Sequence, residues 1–541
     1  MFRSIFPKSL SFFMKPICAF LLIVVFFACS SDNNDENNPP QSMPDVDIVP
    51  PAVTFTGLEA NLEVSTTINV SIQDASDDIN TTISVNNDEI FSSSAKSFSF
   101  ELNPFDYPTG ENTLSVLSVD GDDNRREFSQ TFEVEKLLAR IAAPEIADTQ
   151  EVYFSANTLT GDLVAFAKAT SRVETISLYA EDGFLPQEIV ITSYILEPAA
   201  ELKVRLFSLA NIQPGTDLIA FQEINGVETE TNPGQSPLTE SFDLDVTDVP
   251  SEALASSFHA IGNDYFNSAI NATDQGGTFD TALIVGKLSN TNDVVVYTSN
   301  LREVEDLAAI SDYRYLPLGS DELVNAAVPY TSFKQAISVE QTTIPANTTS
   351  YFHTLYGFLD QQAFENREYS FLFDSSPSNT GNTFSFFETP VIEEYDIVRN
   401  EINMTFDNGN SLLASTIGIQ NNIEVPNWDA SLNGDMVTMS GDFDTYTLRV
   451  FASPVNSYTW EYTATRQENL VLPFDAFEFP QEFMDYATAQ SLDLNAINTS
   501  TTKEILLFDA SGDVPYEELL FANFIYTDRI GDVLEYTFDL D

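Results

Sequence analysis

Apolar and polar residues alternate with a period of two in short runs through most of the chain. In the first region the apolar positions are Ile68, Val70 and Ile72; Ile83 and Val85; Phe98, Phe100 and Leu102; Leu114 and Val116; then Phe128, Phe132 and Val134. Successive side chains of an extended strand point to opposite faces, so each run predicts a strand with one buried side. Turn-forming residues part the runs at roughly ten-residue intervals, the spacing of a β-sandwich. From Leu137 to Asp541 the signature continues, in Leu163–Phe166, Leu202–Leu206, Leu283–Val285, Val294–Tyr297, Phe384–Phe387, Thr445–Phe451, Tyr458–Tyr462, Ile505–Phe508 and Tyr536–Leu540. The predicted fold is therefore mainly β: an N-terminal β-sandwich over 52–136, then a larger multi-domain β-rich body over 137–541 with few short helices.

The helices are expected at Ser251–Ile261, where Ser251 could cap the first turn, at Leu301–Ile310 and at Tyr516–Phe524. Stretches rich in Asn, Pro, Gly and Ser at 225–237 and 375–382, with a weaker one at 421–434, are the expected seams or long loops of a body of two or three domains. Three similar segments, GDLVAFAKA at 161–169, TDLIAFQEI at 216–224 and TALIVGKLS at 281–289, are unevenly spaced. That spacing is too irregular for an array of blades, although it leaves a propeller open.

Within the first region, Gly110-Glu111-Asn112-Thr113-Leu114-Ser115-Val116, the loop Asp120-Gly121-Asp122-Asp123-Asn124 and the strand Phe128–Val134 together resemble the last hairpin of bacterial immunoglobulin-like modules. The resemblance implies an Ig-like sandwich for 52–136. The chain departs from the pattern in placing its Gly before the acids, and this span has neither a cysteine pair nor a tryptophan.

The first fifteen residues carry Arg3, Lys8 and Lys15 and no acid, and the apolar run Ile17–Ala28 follows. Such a run is too short to cross a bilayer, which needs about 20 apolar residues, and reads as a cleaved targeting segment, residues 1–28. It ends in Phe26-Phe27-Ala28-Cys29, which resembles the lipobox of bacterial lipoproteins, with Phe26 and Phe27 where that pattern prefers Leu and Ala or Ser. The resemblance implies that Cys29 is acylated through its thiolate and becomes the first residue of the mature chain. Residues 29–51 then form an acidic, flexible tether. Its beginning, Ser30-Ser31-Asp32-Asn33-Asn34-Asp35-Glu36, resembles the surface-export signal of Bacteroidota-type lipoproteins, which implies the exterior face of the outer membrane.

Loss of Arg3, Lys8 and Lys15 with the leader takes the net charge from −61 to −64. A surface of this sign repels nucleic acid and attracts cations, Ca2+ among them. Cys18 leaves with the leader and Cys29 takes lipid, so the mature chain has no disulfide, no cysteine-based metal site and no thiol nucleophile.

Candidate chemistry is sparse. His259 and His353 are the only histidines, and each is expected to sit half-buried on a sheet unless it serves a site. No nucleophile elbow, phosphate-binding loop, zinc-protease helix or dinucleotide turn occurs. A carboxylate pair for glycoside hydrolysis cannot be picked out by sequence from 83 acids. Alternation puts Tyr458, Trp460 and Tyr462 on one face, either the apolar side of a sheet or a platform for stacking sugar rings. Asp120, Asp122, Asp123 and Asn124 offer oxygen ligands that suit Ca2+, but their spacing does not match an EF-hand loop and the same residues are what a β-hairpin turn uses, which is the preferred reading. Asp280-Thr281-Ala282 resembles the O-glycan acceptor of exported Bacteroidota-type proteins.

The whole predicts an outer-membrane-anchored, cell-surface lipoprotein that binds glycan or another protein and is not an enzyme. Its plan resembles the surface glycan-binding lipoproteins that accompany polysaccharide importers. The alternatives are an exported hydrolase working through a carboxylate pair and a purely structural envelope protein.

Overall fold

In Thr66–Gln73 the predicted alternation is realised residue by residue, with Ile68, Val70 and Ile72 buried and Asn69 and Ser71 exposed. This strand belongs to a computed structural model that describes residues 48–142, 150–169, 175–197, 203–218, 240–250, 256–262, 265–268, 272–274, 278–287, 293–301, 308–317, 326–335, 338–366, 370–375, 383–433, 436–452, 458–467, 469–471, 476–489, 501–511 and 532–540. The leader, Cys29 and most of the tether lie outside the described residues.

Two sheets make the first sandwich. One has three strands in the order Ala52–Thr56, Thr66–Gln73, Ser97–Leu102; the other has five in the order Asn61–Leu62, Arg125–Val134, Gly110–Asp120, Ile79–Val85, Asp88–Ser93. Their facing side chains form one core, with Ile68, Val70, Ile72 and Leu102 from the first sheet against Ile83, Leu114, Val116 and Val134 from the second. At Glu135 the chain leaves this core. Strand Lys136–Ala142 joins Thr175–Ala180 and Thr216–Leu218 in a separate three-stranded sheet.

That small sheet covers one face of the N-terminal strands of a sheet of thirteen. Leu138, Ile141, Ile176 and Leu178 pack there against Phe154, Ile191, Phe207 and Leu209. The large sheet runs Leu163–Lys168, Glu151–Thr158, Ile189–Glu197, Lys203–Ile212, Tyr458–Thr465, Thr445–Ala452, Thr501–Ala510, Val533–Asp539, Ser411–Ile417, Ile397–Phe406, Val339–Phe358, Ser370–Ser375, with Phe384–Pro390 also on Val339–Phe358. Among its described strand pairs one is parallel, Lys203–Ile212 on Tyr458–Thr465, and it splices the early strands to the late ones. Its other face builds the largest core, which Val437, Met439 and Leu470 of the small sheet Asp429–Asn433, Met436–Ser440, Asn469–Val471 help to close.

Residues between 240 and 335 form two further sheets of four and five strands. The expected helix at Ser251–Ile261 is instead strand Ser256–Gly262 where described, and strand Ala308–Pro317 takes the end of Leu301–Ile310. In both places cross-strand pairing overrides a weak local helical preference. The expected helix at Tyr516–Phe524 lies outside the described residues. Two α-helices that alternation did not reveal occur at Gln361–Asn366 and Gln481–Ala489. The second buries Phe483 and Ala487, one turn apart, and Phe483 belongs to the large core.

Strands on both sides of 376–382, Ser370–Ser375 and Phe384–Pro390, pair with the same strand, and 376–382 itself lies outside the described residues. The whole of the 225–237 stretch lies outside the described residues. The three similar segments fall in three unlike settings: an edge of the large sheet, a parallel strand of the small one and the four-stranded sheet. Among the described residues they are therefore not repeats of one unit.

Candidate binding cleft

The open side of the first sandwich is framed by two sheet edges, Asp88–Ser93 and Ser97–Leu102. Asn86 and Asn87, both at positive φ (52° and 73°), form the two-residue turn that leads into Asp88–Ser93. Asparagine tolerates this left-handed backbone, and the twist of such a turn matches that of the flanking strands.

Between these edges lies a cleft of about 520 Å³. Phe91 of one sheet leans across to Phe98 and Phe100 of the other, stacked at 5.4 and 5.8 Å between ring centres. Phe98 and Phe100 share a face because they are two apart on a strand. Asp88, Glu101 and Asp106 bring exposed carboxylates to the lining, and Tyr107 and Pro108 form one end. The Tyr107 phenol is raised above its ordinary pKa by burial and by the charge of Asp106, so it stays a neutral hydroxyl.

Both lips are tied to one buried side chain. Asn112 accepts a 2.7 Å bond from Asn86 Nδ2 and donates at 2.8 Å to the carbonyls of Pro108 and Gly110. The turn Pro104–Asp106 is capped by Asn103, whose Oδ1 accepts from Phe105 N at 3.1 Å.

The residues singled out from sequence stand elsewhere. Trp460 has no exposed surface, and its Nε1 donates at 2.8 Å to Ser208 Oγ. Tyr462 is buried as well, which pushes its phenol pKa up, and Tyr458 lies in the same strand with its side chain outside the described residues. The sugar-stacking platform is therefore corrected to core at Trp460 and Tyr462, because this face looks into the largest apolar cluster. Trp428, half-buried, packs on the same cluster and donates from Nε1 to Asp442 O at 2.7 Å.

In the acidic loop, both Asp120 carboxylate oxygens are used within the turn. Oδ1 accepts from Asp122 N and Asn124 N at 2.9 Å, and Oδ2 from Asn124 Nδ2 at 2.8 Å. Burial would raise this carboxyl, but those bonds outweigh it and hold it below the usual range. Asp123 occupies the left-handed position, φ 65°. Of the two readings of Asp120, Asp122, Asp123 and Asn124, a hairpin turn or a Ca2+ loop, these bonds are those of the turn. Among the described residues no group of three or more His, Cys, Asp or Glu is placed to hold a metal ion.

His353 is fully buried, and its Nε2 donates at 2.6 Å to Asn400 Oδ1. His259 lies in strand Ser256–Gly262, its side chain outside the described residues, and Thr281 is in the interior strand Thr278–Lys287 of the four-stranded sheet. The carboxyls raised most clearly are Asp509, pushed to about 6 by burial and by Asp444 and Asp442, and Glu535, raised by burial with Glu461 adding to it and Arg449 opposing. Neither lines the cleft. Among the described residues no helix is long and apolar enough to cross a membrane.

The cleft escaped the sequence reading because its parts come from separate segments, each of which looks like an ordinary strand or turn. The Asn86-Asn87 pair was the available signal for the hairpin.

No family model matches the chain, and no curated protein does. Among solved structures, part of a 1.5-MDa bacterial ice-binding adhesin is 8% identical over 52% of this chain and 99% of its own, with a TM-score of 0.15. A Ca2+-stabilized, ice-binding adhesin of an Antarctic bacterium is 7% identical over 70% of this chain and 100% of its own, TM-score 0.14. A Bacteroides ovatus protein of the mixed-linkage glucan utilization locus, in complex with a mixed-linkage heptasaccharide, is 8% identical over 64% of this chain and 92% of its own, TM-score 0.14. At such scores these likenesses carry no assignment of function.

Proposed function

We propose that the chain is a surface-anchored, non-enzymatic lipoprotein that takes a neutral glycan in the cleft of its first sandwich. The observation that carries this reading is the convergence of partly exposed aromatic rings and exposed carboxylates on one open cleft. Phe91 and Tyr107 offer flat apolar surface to the C–H faces of pyranose rings, and Asp88, Glu101 and Asp106 accept hydrogen bonds from sugar hydroxyls. The same carboxylates disfavour sulfated or uronic glycans by like charge. The Bacteroides ovatus protein binds a glucan, which makes neutral glucans sensible first probes; the support itself is the cleft.

Anchoring follows from the sequence before Ser30. Cys29→Ala is expected to abolish incorporation of a clickable fatty acid and to move the protein from the membrane to the soluble fraction. Lipid labelling that persists in this variant would refute the anchor.

The soluble Cys29→Ala chain is also the sample for ligand binding. On an array of neutral and anionic glycans followed by calorimetry, a neutral glycan is expected to bind, and Asp88→Asn with Glu101→Gln to weaken it about tenfold, or ~1.4 kcal/mol, with an unchanged melting curve. Equal binding by variant and parent would remove the cleft from the function. The competing hydrolase reading has one observation in its favour, the raised carboxyl of Asp509 beside Asp444 and Asp442. It predicts sugar released from the same mixtures, and release abolished by Asp509→Asn.

A further inference from the structure

We infer that the segment following the first sandwich completes the cleft: Asp182 and Phe184 fix the turn from Pro104 to Thr109 and with it the position of Tyr107. As a statement about ligand affinity this rests on the reading of the cleft as a glycan site. As a statement about the turn it rests on the contacts alone.

The register that makes this happen begins in the small sheet, where Ala180 pairs with Lys136. Directly after Ala180 the chain reverses through Glu181–Phe184, with Phe184 N donating to Glu181 O at 3.3 Å and Gly183 at φ +94°. Glycine is the residue suited to that third position, because a side chain there is strained. The reversal presents Asp182 and Phe184 to the neighbouring sandwich.

Asp182 Oδ1 accepts from Thr109 N at 3.0 Å, from Thr109 Oγ1 at 2.9 Å and from Lys136 Nζ at 2.7 Å. Lys136 is buried, so its ammonium has this carboxylate as a charge partner inside the joint. Phe184 lies 6.1 Å, ring centre to ring centre, from Phe105, which sits in the middle of the turn. Clamps on Phe105 and Thr109 bracket Asp106, Tyr107 and Pro108, the three residues that form one end of the cleft.

The joint itself is continuous. Backbone N–H groups of Glu133, Glu135 and Leu137 donate in turn to the carbonyls of Ala60, Leu62 and Glu63, crossing from one sheet to the next without a break. Arg140 pairs with both Glu63 and Asp217, and a Cβ on Gly215 would meet Val64 Cγ1 at 2.9 Å. A carboxylate on one side of this joint can therefore hold a loop on the other side in place.

The test is hydrogen exchange on the full Cys29→Ala chain, read without ligand. Asp182→Ala alone would strand a buried ammonium and threaten folding, so it is made together with Lys136→Met, and Phe184→Ala is made separately. Exchange at Asp106, Tyr107 and Thr109 is expected to quicken about tenfold or more in both variants, while Ile68 and Val70 in the same sandwich keep their rates. Unchanged rates at Asp106 and Tyr107, with only Thr109 faster, would overturn the inference by showing that the Asn103 cap holds the turn unaided. Because no ligand is used, failure of this test leaves the glycan reading standing, and absence of glycan binding leaves this result standing.

Discussion

Trp460→Ala is expected to destabilise the protein by about 3–5 kcal/mol, the usual cost of emptying a large buried aromatic site. The residue has no exposed surface and packs on Phe477 and Phe479 at 5.0 and 6.0 Å between ring centres. It stands on the strand that makes the parallel splice, opposite Leu206, and its indole N–H reaches across that splice to Ser208, which is in turn 2.8 Å from Thr192 Oγ1. Trp460→Phe keeps most of the apolar volume and loses the hydrogen bond, so a smaller loss of about 1 kcal/mol is expected. Denaturant titration of the three proteins checks the order parent, Phe variant, Ala variant. An Ala variant as stable as the parent but defective in ligand binding would contradict the buried position.

The second large effect is a loss of stability in mild acid. Burial lowers the His353 pKa from 6.5 to about 4, against the smaller opposing effect of its bond to Asn400. Because the folded value is the depressed one, the unfolded chain binds the additional proton between these limits. The stabilisation is complete above the unfolded value near 6.5, and it is lost progressively as the pH falls towards about 4. The separation amounts to about 3 kcal/mol. His353→Gln, which keeps a donor for Asn400 and cannot ionise, should remove this part of the dependence while leaving the loss below the carboxylate range. Denaturant midpoints at pH 7.5 and 4.5 measure it; equal slopes for the two proteins would mean that His353 is exposed to water.

The first sandwich was legible because its information is local. Thr66–Gln73 and Gly110–Asp120 alternate cleanly, and the residues that alternate inward are those that become the core. The plan of the body was not legible, since the contact that organises it joins residues 252 apart, Ser208 and Trp460, and nothing in either segment names the other. The row Tyr458, Trp460, Tyr462 shows the same limit at the scale of a site. Alternation gives a shared face but not what covers that face, and here the large core covers it. Helix Gln481–Ala489 went unseen because only two of its nine residues are fully buried and apolar, too few for a helical period to stand out. Asp120, Asp122, Asp123 and Asn124 were legible first as a turn and second as a calcium loop. Only the paths of the individual N–H donors separated the two.

The order of strands in the large sheet also bears on how the molecule comes into being. The sandwich of residues 52–134 needs no later part of the chain for its two sheets, so it can close early in synthesis. The large sheet cannot be completed so early, because Val533–Asp539 lies in its middle and joins two groups of strands, one ending at Thr501–Ala510 and the other, whose members pair among themselves, at Ser411–Ile417. Pairings of such long sequence separation form slowly and leave edges exposed meanwhile. The two parts of the large sheet are therefore joined only when Val533–Asp539 is available to pair with both, so the sheet stays divided until that late strand has been made.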